Sequence, residues 1–388
     1  MINEDLLKIE KENAFSKSTK KIKEYREKHP DRKLISLGIG DVSKPVVEPI
    51  LRAMHGAIDD LSKMSSFKGY GLYYGLESLR KAILDNEYHK YDFSIDEIYV
   101  SDGTKSDSTN ILELFDKKAK VLVGNPMYPI YLNGALSLNR DVYIGECDED
   151  FNMVIPKEKY DVIYLCSPSN PVGTALDYKT LEKWVKYALD NNSVLIVDNV
   201  YKIFVQSDNI PESIYEIPGA KKCAIELRSF SKSASFTGLR CSYYVIPNEL
   251  SKDINSIWKE RTINRFNGAS YIVQKGAEAF YLPESQELIK KNISEYHENM
   301  KYLIDNFEEL GFKVIGGVDA PYMWINTPEG MDCWEAFDFF LEVLNIIVIP
   351  GSVFGSNGKR HLRISALGNI DDSKEAIKRI KNYYEKIS

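Results

Sequence analysis

The chain predicts an α/β protein, with a large, mainly parallel α/β/α sheet domain and a smaller α+β domain. Three observations carry this expectation. From about residue 78, short apolar strands alternate with helical patterns. Those strands are continuous apolar runs rather than alternating ones, as expected of strands buried on both faces. After about residue 280 the pattern changes to a long charged helix followed by short strands and helices. The predicted large domain spans 46–280, and segments 1–45 and 281–388 together form the small one.

Taken in order, the first ~35 residues read as a helix that ends near His29-Pro30, because proline disfavours helix in the residue before it. Leu34 to Gly40 reads as a short strand entering a glycine-rich loop. The large-domain strands are expected at Glu97–Ser101, Lys120–Gly124, Val142–Gly145, Val162–Cys166, Val194–Asp198, Ala224–Arg228 and Ser242–Ile246. Thr180–Asn191 is one of the helices between them. In the small domain a helix runs to Leu310, followed by strands Lys313–Ile315 and Tyr322–Ile325. Helix Cys333–Val343, strands Ile346–Ile349 and His361–Ala366, and a terminal helix complete it.

Bulk composition narrows the function. The 388 residues carry a net charge of −7, which argues against a nucleic-acid footprint. Hydrophobic residues make up 44% and charged residues 28%, ordinary for a soluble globular protein. The basic stretch Lys17–Lys33 is interleaved with Glu24, Glu27 and Asp31, and reads as a solvated helix face. Five scattered cysteines without a C-x-x-C pair argue against a disulfide framework or a zinc site, so no metal is expected. The charged N-terminus is unlike a signal peptide, and no run of ~18 apolar residues offers a membrane span. The expected location is the cytoplasm.

Chemistry concentrates in Ser229-Phe-Ser231-Lys232-Ser-Ala-Ser-Phe-Thr-Gly-Leu-Arg240. An amine can form an imine with an aldehyde cofactor, while hydroxyls and a guanidinium grip its phosphate. A lone lysine in a polar loop would be an ordinary surface residue; partners at strand ends change that reading. Asp198 closes an apolar strand, where an acid is costly unless paired, and a protonated pyridine nitrogen would pair with it. Tyr201 could place its phenol near the cofactor's ring oxygen, and Asn170, in Ser-Asn-Pro-Val-Gly, could donate to the same oxygen. Gly103-Thr104-Lys105 opens a helix, which suits a phosphate. Tyr128 could stack on an aromatic cofactor face. Arg363, in an apolar strand, offers a fixed fork for a carboxylate. Each has a plainer explanation when taken alone: a helix cap, a turn residue, a packed aromatic, an internal salt bridge. The glycine-rich stretch 351–360 imitates a phosphate loop but lacks its spacing and its hydroxyl, and reads as a flexible loop.

In order and spacing these residues resemble the fold-type I pyridoxal-phosphate aminotransferases. Within them the chain is similar to the LL-diaminopimelate aminotransferase group, through Leu37-Gly-Ile-Gly-Asp41, Gly69-Tyr-Gly71, Val100-Ser-Asp-Gly-Thr-Lys105, Arg228-Ser-Phe-Ser-Lys232, Phe266-Asn-Gly268 and Ile364-Ser-Ala366. The resemblance implies that Lys232 joins pyridoxal 5'-phosphate and shuttles the proton. It implies that Gly103, Thr104, Lys105, Ser229, Ser231 and Arg240 bind phosphate, with Tyr70 reaching in from the partner of a homodimer. Asp198 would pair with the ring nitrogen, Tyr201 and Asn170 would hold the ring oxygen, and Tyr128 would stack. Arg363 and Gly40 would take the substrate's α-carboxylate region, together with Lys105, Tyr128 and Asn170, and Asn267 would enter the neighbouring site. The substrates would be an amino acid and a 2-oxo acid.

Two departures bear on specificity. The group carries a glutamate that contacts the substrate's distal end, where this chain has Tyr73 within Leu72-Tyr73-Tyr74-Gly75. A substrate-contacting tyrosine is replaced by Asn13. Losing such buried polar contacts costs ~10²-fold or more in discrimination, so an aminotransferase of altered specificity is expected. The alternatives are a genuine LL-diaminopimelate aminotransferase and a lyase or decarboxylase on the same fold.

Overall fold

The computed structural model describes residues 14–387, together with residues 4, 7 and 9. Among the described residues, thirteen strands form three sheets. In chain order they are β1 (Ile35–Ser36), β2 (Ile98–Ser101), β3 (Val121–Val123), β4 (Val142–Ile144), β5 (Val162–Cys166), β6 (Val194–Asp198), β7 (Ala224–Ser229) and β8 (Ser242–Val245). Then follow β9 (Val314–Gly316), β10 (Tyr322–Asn326), β11 (Ile346–Ile347), β12 (Ile349–Pro350) and β13 (His361–Ser365).

The large sheet has the order β2-β8-β7-β6-β5-β3-β4. Strands β4, β3, β5, β6 and β7 run parallel, while β8 pairs antiparallel with both β7 and β2. Val162–Leu165 and Leu195–Val197 are buried throughout, which explains their unbroken apolar runs. Register aligns Cys166 with Asp198, and Asp198 with Leu227. Strands β5 and β6 therefore end level, with β7 running two residues further to Ser229, and ligands of such sheets bind beyond their carboxyl ends.

Helix Tyr178–Asn191 shows how the covering layer forms. Asp177 caps it, accepting from Thr180 N at 2.8 Å, and Asn192 ends it in a left-handed conformation at φ 52°. Leu181, Trp184, Val185 and Ala188 recur at helical spacing and are buried against the sheet. Full burial of each larger side chain stabilises by about 1.5–3 kcal/mol.

The second sheet is antiparallel, in the order β12-β13-β10-β9. Helix Cys333–Glu342, started by an Asp332–Glu335 capping box, packs beside it. The expected single strand Ile346–Ile349 is two strands. β11 pairs with β1, β12 pairs with β13, and Val348 lies between them. The chain changes partner within one apolar run, so local pattern gives no sign of the break. Leu37 joins the two pairings: its N–H donates to Ile347 O at 2.8 Å and its carbonyl accepts from Ser365 N at 2.7 Å. Among the described residues no helix is long and apolar enough to cross a membrane.

Candidate active site

A cavity of about 760 Å³ lies where β5, β6 and β7 end and the second sheet comes closest. Gly40, Thr104, Lys105, Tyr128, Asn170, Asp198, Tyr201, Ser229, Ser231, Lys232, Arg240 and Arg363 all line it. Residues spread over more than three hundred positions of sequence thus converge on one space.

Strand β7 delivers the lysine. Ser229 closes the strand and caps the short helical turn Phe230–Ser233, accepting from Ser231 N at 3.0 Å. Lys232 is half-buried on that turn, and its Nζ donates to the Gly40 carbonyl. The chain then doubles back through Ser235 at φ 60° and Arg240 at φ 63°. Left-handed backbone at a non-glycine residue costs roughly 1–2 kcal/mol, and such strain is characteristic of functional loops. Arg240 donates to Thr237 O at 3.0 Å and to Ser231 Oγ at 3.4 Å.

Gly103 does not line the cavity but shapes it. Its φ is 146°, and a β-carbon there would overlap the Arg240 guanidinium. Thr104 follows at the helix start, with its Oγ1 donating to Arg228 O at 3.4 Å. Thr104, Ser229, Ser231, Thr237 and Arg240 together give the cavity a hydroxyl- and guanidinium-rich lining. Behind it, Asp107 accepts from Ser101 Oγ at 2.6 Å and Ser242 Oγ at 2.8 Å. Burial pushes the Asp107 carboxyl up to about 7, against the pull of those two hydroxyls.

Asp198 ends β6 at 5% exposure. Its Oδ2 accepts from Tyr131 O–H at 2.5 Å, while its Oδ1 is buried with no hydrogen-bond partner. Burial lifts this carboxyl to about 6, and the Tyr131 hydroxyl and Val200 N–H oppose the rise. Tyr201 O–H lies 3.2 Å from Tyr322 O–H, and burial holds the Tyr201 phenol well above its ordinary value.

Arg363, in β13, reaches the cavity from the second sheet. Its Nη1 donates to Asn170 Oδ1 at 2.8 Å and its Nη2 to Gly38 O at 3.1 Å. The guanidinium lies 4.4 Å from the Tyr322 ring centroid and 5.0 Å from that of Phe354. Asn170 spends its oxygen on Arg363, so its amide N–H groups are what it has to offer a cavity ligand.

A buried network stiffens the two strand ends from behind. Glu226, fully buried, lies 3.1 Å from Arg228 Nε and accepts from Asn199 at 3.1 Å and Tyr88 at 2.7 Å. Glu87 lies 3.6 Å from Arg228 and 3.3 Å from Lys202. Asn199, next to Asp198, and Arg228, next to Ser229, are thereby tied together.

Besides Gly103, three expected site residues among those described do not line this cavity. Tyr70 is 89% exposed, and Tyr73 and Asn267 also lie outside the lining. These last two are near each other, since Gly268 packs against the Leu72 carbonyl and Tyr73 Cα. Asn13 lies outside the described residues. Tyr131, Tyr322 and Cys166 line the cavity without having been singled out. Tyr131 had one available signal, its position three residues after Tyr128 at the start of helix Ile130–Ser137.

The family described as aminotransferase class I and II matches residues 32–380. The chain belongs to that family. It is a pyridoxal-phosphate-dependent aminotransferase of fold type I, moving amino groups between amino acids and 2-oxo acids. The LL-diaminopimelate aminotransferase of Agathobacter rectalis is 42% identical over 399 residues, covering 98% of this chain and 99% of that protein. The one from Bacteroides fragilis is 40% identical over 406 residues, with 98% and 99% coverage. The solved structure of L,L-diaminopimelate aminotransferase from Chlamydomonas reinhardtii superposes with a TM-score of 0.93 at 36% identity, covering 99% and 98%.

The residues of this aminotransferase fit its cofactor. The partnerless Asp198 Oδ1 is a buried acceptor awaiting a donor, and a protonated ring nitrogen is one. A β-carbon at position 103 would displace Arg240 from the hydroxyl-rich lining, so glycine there keeps the guanidinium in place for a phosphate.

Proposed function

We propose that this aminotransferase is a cytoplasmic homodimer acting on an amino acid whose side chain does not end in an ammonium group. Lys232 Nζ would carry the cofactor, then take the proton from the substrate Cα and deliver it to the cofactor's C4′ carbon. The cofactor, when bound, supplies an electron sink for the charge left on that carbon. Asp198 pairs with the ring nitrogen and keeps the sink cationic. Asn170 and Tyr201 hold the ring oxygen, and Tyr128 covers the ring face. Gly103, Thr104, Lys105, Ser229, Ser231 and Arg240 hold the phosphate, joined by Tyr70 of a second copy. Arg363 offers its fork to the α-carboxylate beside Gly40 and Asn170.

One observation carries these roles: Lys232, Asp198 and Arg363 face a single cavity from three separate elements. The dimer is supported by an exposed apolar stretch, with Met64 98%, Phe67 61% and Tyr70 89% exposed, shortly before Leu72, whose carbonyl approaches Gly268 beside Asn267. Mixing Lys232→Ala and Tyr70→Phe protomers tests it. Partial recovery of activity is expected, and none is expected if each site is built from one chain.

The specificity rests on Tyr73, which stands where a glutamate would read the distal group. A panel of amino acids, with 2-oxoglutarate as acceptor, separates the readings. Poor turnover of LL-diaminopimelate beside another donor is expected. Robust turnover would favour the second reading, a genuine LL-diaminopimelate aminotransferase, which the full-length similarity to enzymes of that name supports. Ammonia or carbon dioxide released in place of amino transfer would favour a lyase or decarboxylase.

A further inference from the structure

We infer that Tyr131 is a positioning residue for the cofactor ring: it keeps the Asp198 carboxylate ionised while leaving one of its oxygens free for the ring nitrogen. The inference rests on the proposed pairing of Asp198 with that nitrogen.

The two oxygens of Asp198 are unequal. Oδ2 is engaged by the Tyr131 hydroxyl at 2.5 Å, and Oδ1 meets no donor. Tyr131 is itself fixed. Its ring stacks on Tyr164 at 4.9 Å with 15° between planes, and meets Tyr128 edge-on at 5.9 Å. It is only 3% exposed, so no water competes freely for the hydroxyl. The groups that face Asp198 are Tyr131 and Tyr128 at the start of one helix, Cys166 and Tyr164 from β5, and the Val200 N–H. None of them is a cation. An isolated buried carboxylate would take up a proton and lose its attraction for a cationic ring. The Tyr131 phenol is held far above its ordinary value by burial, so it keeps its proton and, as the donor to Oδ2, favours the ionised carboxylate. Its geometry also decides which oxygen is used. Occupying Oδ2 leaves Oδ1 as the acceptor.

Removing a hydrogen bond to a charged group raises the carboxyl by about one unit or more. Starting from about 6, Asp198 in Tyr131→Phe would then be mostly protonated at pH 6 and mostly ionised at pH 8.5. The test titrates apoprotein, wild type and Tyr131→Phe, by fluorescence with two ligands. One is pyridoxal phosphate; the other is its 1-deaza analogue, in which the ring nitrogen is replaced by carbon. Both carry the same phosphate, so its own titration cancels. For pyridoxal phosphate the variant should bind about fivefold more weakly at pH 6, with the difference fading by pH 8.5. Its affinity for the deaza analogue should match wild type at both pH values. Equal weakening of both ligands, or no change with either, would overturn the inference and leave Tyr131 a packing residue. A wild type that binds both ligands alike, and is unaffected by Asp198→Asn, would overturn the Asp198 pairing and the inference together.

Discussion

Replacing Gly103 with alanine separates two consequences of one backbone position. Gly103 sits at φ 146° and ψ 136°, a conformation that glycine alone adopts freely, and forcing a side chain into it costs ~1–3 kcal/mol. That cost falls on folding. The second falls on the phosphate grip, because the new methyl group overlaps the Arg240 guanidinium. The guanidinium is the free end of a flexible, exposed side chain, so it swings aside rather than forcing the backbone apart. A hydrogen bond to a charged group contributes ~1.5–3 kcal/mol, so losing one weakens the cofactor complex by about 10- to 100-fold. Apoprotein titrated with pyridoxal phosphate and with pyridoxal, which lacks the phosphate, isolates this second effect. Affinity for the phosphorylated ligand should fall and that for pyridoxal should not, while the urea midpoint drops. Equal losses for both ligands, or undiminished binding of pyridoxal phosphate, would refute the reasoning.

Three other changes have defined outcomes. Arg363→Lys keeps the charge but loses the fork; the KM for amino donor should rise at least about tenfold with cofactor affinity preserved, and a changed kcat alone would contradict this. Glu226→Gln leaves Arg228 facing a neutral buried partner, and urea denaturation should show a loss of ~3–5 kcal/mol; a change below ~1 kcal/mol would mean that the network is not needed. Asp107 has a folded-state pKa of about 7 against an ordinary 3.8. The folded protein therefore holds that proton more tightly than the unfolded one, and stability falls as pH rises from about 4 to about 7. Asp107→Asn should be more stable than wild type at pH 8, by of order 1–4 kcal/mol, and the gap should close at pH 4; a pH-independent gap would exclude titration of this group.

Sheet strands were legible where burial on both faces leaves only apolar residues. Val162–Cys166 and Val194–Asp198 coincide with their expected limits for that reason. The split at Val348 was not legible, since both halves are equally apolar and only the pairing partner differs. Site residues were legible where a polar group interrupts an apolar strand or ends it, as at Asp198 and Arg363. Tyr131 and Tyr322 were hidden among 25 tyrosines, because a tyrosine in an apolar setting reads as packing. What sets them apart is a hydroxyl whose partner is distant in sequence.

The segment from Leu37 to Gly40 holds two of the cavity's side chains, Arg363 and Lys232, by hydrogen bonds. Gly38 offers its carbonyl to Arg363, and two residues later Gly40 offers its own to Lys232. Leu37, just before them, is pinned to two sheets at once. A substrate carboxylate that draws Arg363 away from Gly38 therefore slackens the same short tether that restrains the amine. On the proposed roles, the incoming molecule's own charge can loosen the tether on the lysine that is to take its Cα proton.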